Sequence, residues 1–238
     1  MQTKMILFDL DGTLLPMDQD IFVKTYFGLL AKKLANYGYN PEKLIQSVWA
    51  GTGAMIKNDG SLSNEDRFWK VFSDAYGADC KKDIALFDAF YRNEFTGVKE
   101  ICGYHPQAAE AVRKLKEKGF RIALATNPLF PQIATQNRIR WTGLVPEDFE
   151  FYTTYEESRY CKPNIKYYEY VIEKAGVKPE ECLMVGNDVT EDMVVTTMGM
   201  KVFLLTDCLI NKDGKDISEY PNGSFTELLA YVDTIVFE

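Results

Sequence analysis

Two carboxylates open the chemical content of this sequence. Asp9 and Asp11 lie two residues apart in FDLDGTLL, where an apolar run gives way to Gly12. Alternate residues at a strand end face the same side, so both carboxylates can approach one point. Left unpaired there they repel, and either one keeps a proton or a cation joins them. Taken alone, Asp11-Gly12-Thr13 reads equally well as a turn closed by Asx hydrogen bonds. Further along, RIALAT ends in Thr126, with Asn127 next. A hydroxyl and backbone N–H groups at a strand end suit phosphate oxygens. Lys162-Pro163 precedes a helical pattern, where a lysine can reach into the mouth of a sheet. In GNDVTED, Asp188 and Asp192 are four apart and share a face if that turn is helical. Glu191 beside them reads as an ordinary complement to a helix dipole. Three carboxylates at one sheet edge, Asp9, Asp11 and Asp188, make a hard-oxygen site of the kind that Mg2+ takes together with water and phosphate.

Composition removes several other chemistries. The chain has a single histidine, His105, so a His-rich metal site cannot be assembled and a Ser-His-Asp or Cys-His set would need that one ring. His105 precedes Pro106 and reads as a helix-entry residue. The cysteines (80, 102, 161, 182 and 208) are scattered and never in CxxC spacing, which points to a reducing, cytoplasmic setting rather than a disulfide framework or zinc site. The formal net charge is −8, so nothing in the sequence offers the basic footprint of a nucleic-acid or anionic-membrane binder. No signal peptide or transmembrane run is read, and the oligomeric state is left open.

These residues need a scaffold. Lys4–Leu10, Arg121–Thr126, Cys182–Val185 and Lys201–Leu205 are compact apolar runs suited to strands buried on both faces. Helical patterns alternate with them: Pro106 to Lys118 before Gly119, Asn164 to Ala175 before Gly176, and Asp188 to Met198 before Gly199. That alternation predicts an α/β fold with a parallel sheet. Only residues 17–97 break it. They hold helical segments alone: Ile21 to Tyr37, one opened by Asn40-Pro41 and interrupted at Gly51-Thr52-Gly53, one capped by Ser63 with Asp66, and Lys81 to Phe95. The expected organisation is an α/β core from residues 1–16 and 98–238 with a helical cap from 17–97 hanging over the carboxyl ends of the strands. Residues 207–223 read as loop, and Ser224 with Glu227 caps a last helix.

Taken in order, DxDGT, a strand ending in Thr-Asn, Lys-Pro and GNDxxxD resemble the haloacid dehalogenase superfamily over nearly the whole chain, and the helical interval resembles the cap of its subfamily I. The resemblance implies a Rossmann-like parallel sheet core and, for most members, phosphatase activity. It implies that Asp9 attacks phosphorus, that Asp11 acts as general acid and then base, and that Asp9, the Asp11 carbonyl and Asp188 hold Mg2+. Asp192 would support the metal's water or orient Lys162. Thr126 and the Asn127 backbone would hold the phosphoryl group, and Lys162 would offset its charge. Asn187 between Gly186 and Asp188 departs from the commoner Gly-Asp pattern, which implies a changed local turn.

Within the family, Asp11 speaks against a dehalogenase, the absence of a cap histidine against a phosphomutase, and the lack of a marked cap lysine against a phosphonatase. What remains is a phosphatase for small phosphorylated metabolites, with Gly51-Thr52-Gly53 and the loop Lys57–Gly60 as candidate specificity positions. The alternative from another class is a non-catalytic relative that binds phosphorylated ligands or a partner protein.

Overall fold

The computed structural model describes residues 3–234. Strand β1 (Met5–Phe8) is buried along its whole length and lies inside the sheet, second from one edge. It pairs in parallel with β2 (Arg121–Leu124) on one side and with β3 (Cys182–Gly186) on the other, so Phe8 stands beside both Leu124 and Val185. β4 (Lys201–Leu205) continues the sheet beyond β3, and the two-residue β5 (Asn222–Gly223) closes it in the order β2-β1-β3-β4-β5. Outside β2 the segment 150–153 runs alongside, through Leu124 N–H to the Phe151 carbonyl and Thr153 N–H to the Leu124 carbonyl.

Side chains alternate across this sheet. Ile6, Phe8, Leu124 and Val185 join one hydrophobic cluster, while Met5, Leu7, Ala123 and Met184 join the other. Burial on both faces is why these strands read as continuous apolar runs. The chain leaves β1 for β2 on one side and takes β3 on the other. Such a switch opens a crevice at the carboxyl ends of the strands.

Between β1 and β2 lie α1 (Gln19–Ala35), α2 (Pro41–Ile56), α3 (Asn64–Tyr76) and α4 (Ile84–Arg92), with no strand among the described residues. Their starts follow from local chemistry: Asp18, Asn40 and Ser63 each accept backbone N–H groups of the first turn. The apolar cluster on the β1–Phe8 face continues into these helices through Phe22, Tyr26, Phe68 and Phe90, so the cap and the sheet share one core. α5 (Pro106–Glu117), α6 (Gln132–Trp141), α7 (Ile165–Ala175) and α8 (Phe225–Thr234) complete the fold. No described helix is long and apolar enough to cross a membrane.

Several expectations are corrected. α2 is not interrupted at Gly51-Thr52-Gly53 but runs through to Ile56. Gly51 is there for contact, since a Cβ would stand 2.6 Å from the Phe68 ring of α3. The stretch 188–198 is not an α-helix. It is a tight turn through Asp192 followed by a 3-10 segment, Met193–Met198, because Asp192 turns its carboxylate back onto the backbone of 187 and 188. α6 and β5 lie where no element was expected.

Candidate active site

The carboxyl ends of β1, β2 and β3 surround a cavity of about 200 Å3, whose wall includes Asp9, Asp11, Thr126, Asn127, Asp188 and Asp192. A larger, open depression of about 660 Å3 on the cap, between Leu62 and Lys81, holds none of these residues.

Asp9 follows β1 directly, and its N–H still bonds the Val185 carbonyl at 2.9 Å, so its position is set by the sheet itself. One carboxylate oxygen accepts from Lys162 Nζ at 2.8 Å and the other from Thr13 Oγ1 at 3.2 Å. The same ammonium donates to Asp192 Oδ1 at 2.6 Å, and Lys162 is only 2% exposed. Burial alone would lower the Lys162 pKa, but the Asp192 and Asp9 carboxylates outweigh it and hold Lys162 well above its ordinary value as a cation. Burial raises Asp192 above the usual carboxylate range against the pull of Lys162.

Gly12 has φ +86°, and a Cβ there would collide with the Asn187 side chain. The glycine therefore lets the loop after β1 close against the loop after β3. The Thr13 hydroxyl shares its one hydrogen between Asp9 and Asn187 Oδ1, the latter at 2.9 Å, and Asn187 Nδ2 donates to the Cys208 carbonyl at 2.7 Å. This is what the additional Asn does: it ties three loops together under the cavity. Asp192 Oδ2 accepts from the N–H groups of Asn187 and Asp188 at 3.1 and 3.0 Å. That approach needs Gly186, where a Cβ would run into the Asp192 carboxylate. Asp188 in turn accepts from Thr190 and Glu191 N–H with one oxygen.

Asp11 points elsewhere. Its Oδ2 is ion-paired with Arg138, a residue of α6 that is completely buried, and its Oδ1 is buried without a partner. Arg138 also lies over the Phe130 ring, 4.5 Å from its centroid. Burial raises the Asp11 pKa most strongly, Arg138 opposes it, and the Asp9 charge adds to the rise. Burial also pushes Glu191 up to about 7, while its carboxylate accepts from Asn127 Nδ2 at 3.0 Å.

Asp9, Asp11 and Asp188 all stand in the wall of this one cavity. No group of three His, Cys, Asp or Glu side chains among the described residues forms a metal cage. Asp9 is drawn to Lys162 and Asp11 to Arg138. The donor set still fits magnesium, which takes one or two carboxylates and completes its shell with water and phosphate oxygens. The charge balance points the same way. Asp9, Asp11, Asp188 and Asp192 face two buried cations, so the site holds an excess of negative charge that a phosphate dianion could not join without a cation.

Arg138 was not anticipated. The buried positions of α6 are Ala134, Thr135, Arg138, Ile139 and Trp141, a mixed face with no clean apolar stripe, so the sequence carries no signal that marks Arg138 as inward. Thr13 and Glu191 also carry more than their turn-forming roles. His105 caps nothing with its side chain and packs its ring 5.0 Å from that of Phe225, outside the cavity wall. The loop Lys57–Gly60 is also outside it: Asn58 bonds Asn64 and the Leu62 carbonyl, and Asp59 pairs with Arg67. The cap residues that do face the carboxylates are Met17, Gln19, Phe22 and Val23, at and just before the start of α1.

The haloacid dehalogenase-like hydrolase family matches residues 3–194. The chain is 29% identical over 210 residues to a phosphoglycolate phosphatase of Vibrio vulnificus, covering 86% of this chain and 84% of that relative. It is 26% identical over 230 residues to a glyceraldehyde 3-phosphate phosphatase of Methanothermobacter thermautotrophicus, covering 90% and 94%. In fold it is similar to the crystal structure of a HAD phosphatase from Thermococcus onnurineus, with a TM-score of 0.59 at 19% identity over 97% and 98% of the two chains. The matched family stretch takes in every carboxylate of the cavity, Lys162, Arg138 and the four cap helices, and the chain belongs to the haloacid dehalogenase-like hydrolases.

Proposed function

We propose that this chain is a magnesium-dependent phosphatase for small phosphorylated metabolites that works through an aspartyl-phosphate on Asp9. The observation that carries the reading is the Asp9 carboxylate, fixed by the sheet and held by Lys162 and Thr13 at the floor of a cavity walled by Thr126 and Asp188. Asp9, the Asp11 backbone carbonyl and Asp188 are the residues that would hold Mg2+. When bound it supplies the positive charge that lets a carboxylate and a phosphate approach each other.

An Asp9 oxygen attacks phosphorus, the bond to the ester oxygen breaks, and Asp11 gives that oxygen its proton. Asp11 then takes a proton from water as the water oxygen attacks the same phosphorus. The Asp9–phosphorus bond breaks, and inorganic phosphate leaves. The raised Asp11 pKa is in the direction a general acid needs. Lys162 offsets charge on Asp9 and the phosphoryl oxygens, Thr126 and the Asn127 backbone bind those oxygens, and Asp192 orients Lys162. We divide the chain into a core of 1–16 and 98–238 and a cap of 17–97.

The test is hydrolysis of an aryl phosphate with Mg2+, with chelator, and with Asp9→Asn. Activity is expected only in the first case. Turnover that survives chelation or the substitution contradicts the mechanism, and a protein that turns over no phosphate ester is a binder instead.

A further inference from the structure

Between the cap and the core lies a second cavity, of about 130 Å3, that shares Val23, Leu129 and Phe130 with the wall of the first. Those three side chains stand in both walls. Its other lining includes Tyr26, Val48, Trp49, Phe68 and Trp69, and no charged residue lines it. Of the polar tips in its wall, Tyr26 bonds Tyr91 at 2.9 Å and Trp69 Nε1 donates to Tyr155 at 3.4 Å. Trp49 stands at its edge, 52% exposed, with its ring edge-on to Phe27. An apolar cavity of roughly 150 Å3 takes one benzene ring.

On the side of the site away from the carboxylates, the cap contributes Met17, Phe22 and Val23 with one amide, Gln19. The only cation in that wall beyond the buried pairs is Lys212, which is exposed. A substrate carboxylate pushed toward the cap would lose its water and meet no partner there, whereas an uncharged ring would exchange water for aromatic wall.

We propose that this cavity between cap and core is the substrate's second subsite, and that it selects phosphate monoesters of alcohols bearing one uncharged ring or an apolar group of that size. This rests on the phosphatase reading and departs from the charged or carbonyl-bearing three-carbon and two-carbon esters for which the relatives are named. Val23, Leu129 and Phe130 form the passage between the two parts of the substrate.

Trp49 and Trp69 lie in the wall, so their fluorescence reports filling without any turnover. With Mg2+ present, benzylphosphonate is expected to quench it and to bind at least tenfold more tightly than methylphosphonate. Benzyl phosphate is expected to exceed 2-phosphoglycolate in kcat/KM by at least the same factor. Val48→Phe, which fills the cavity, should cut that ratio tenfold or more. Thr52→Phe fills it from a half-buried position in the same wall, and should do the same if Val48→Phe does not fold. Equal affinity for the two phosphonates, or a preference for 2-phosphoglycolate, overturns the subsite. Ester hydrolysis without a ring preference leaves the phosphatase reading standing and removes the subsite. Preferential benzylphosphonate binding without hydrolysis of any ester does the reverse.

Discussion

Replacing Lys162 by Met should destabilise this protein far more than an ordinary lysine substitution, and the loss should be recoverable at a second position. The ammonium lies 2.8 Å from Asp9 Oδ1 and 2.6 Å from Asp192 Oδ1 with its side chain 1% exposed. Removing it leaves two carboxylates without a cation in a buried site, a change that costs about 3–5 kcal/mol. Asp192→Asn in the same chain removes one of those charges and should recover about 2 kcal/mol, although the amide serves the Asn187 and Asp188 N–H groups less well than a carboxylate. The pH dependence has a definite sign. Burial raises Asp192 and Lys162 lowers it, so without Lys162 its folded pKa moves further above the unfolded value. The folded state then holds a proton that the unfolded chain releases. The deficit is smallest in acid and grows as pH rises through the folded pKa. Urea unfolding of the wild type, both single variants and the double variant, in chelator, gives the cycle. A single-variant loss below about 1 kcal/mol, or a coupling within about 0.5 kcal/mol of zero, would refute the reasoning.

Asp11→Asn should lower kcat by about 10²–10⁴ on alkyl phosphates and by much less on an aryl phosphate, whose oxygen leaves without a proton; steady-state kinetics on the two esters measure the difference. Glu191 has its pKa raised from 4.5 to about 7, so its contribution is intact below 4.5 and lost as pH climbs through 7. Glu191→Gln should therefore gain on the wild type, in chelator, by up to about 3 kcal/mol between pH 4.5 and pH 8, and a flat difference in denaturant unfolding across that range rejects the assignment. Gly51→Ala forces a Cβ against Phe68 at the α2–α3 contact and should cost about 1–3 kcal/mol in thermal unfolding, where an ordinary helical Gly→Ala would stabilise.

The parts of the site visible in the sequence are those at strand ends. Asp9, Thr126 and Asp188 follow apolar runs whose burial on both faces leaves little freedom in how they pair, so their order along the chain translates directly into one cavity edge. Arg138 was invisible for the opposite reason. α6 has no clean apolar stripe, and an arginine inside it cannot be told from a solvated one until Asp11 and Phe130 are seen around it. The glycines of α2 misled in the same way, because Gly51 is demanded by a neighbouring ring rather than by its own backbone. The cap loop at 57–60 looked like a substrate contact because glycine and asparagine mark loops, yet its polar groups are spent on Asn64, Arg67 and Tyr160.

Two residues apart on one strand end, Asp9 and Asp11 would ordinarily compete for the same charge environment. Here each is given its own cation from a different element, Lys162 ahead of α7 and Arg138 within α6. The surroundings then differ. Asp9 is held at both oxygens by Lys162 and Thr13, which would fix its direction for the attack proposed above. Asp11 keeps one oxygen without a partner, remains 23% exposed at its side chain, and has its proton affinity raised by burial and by Asp9. Environments that separate two carboxylates in this way divide the labour of nucleophile and acid. The Arg138 pair opposes that rise, so the proposed proton transfer would require Asp11 to loosen its hold on the guanidinium as the leaving oxygen approaches. An Arg138→Met variant should accordingly shift the Asp11-dependent limb of the kcat/KM pH profile upward. A limb that stays in place would mean that the pair is only a packing contact.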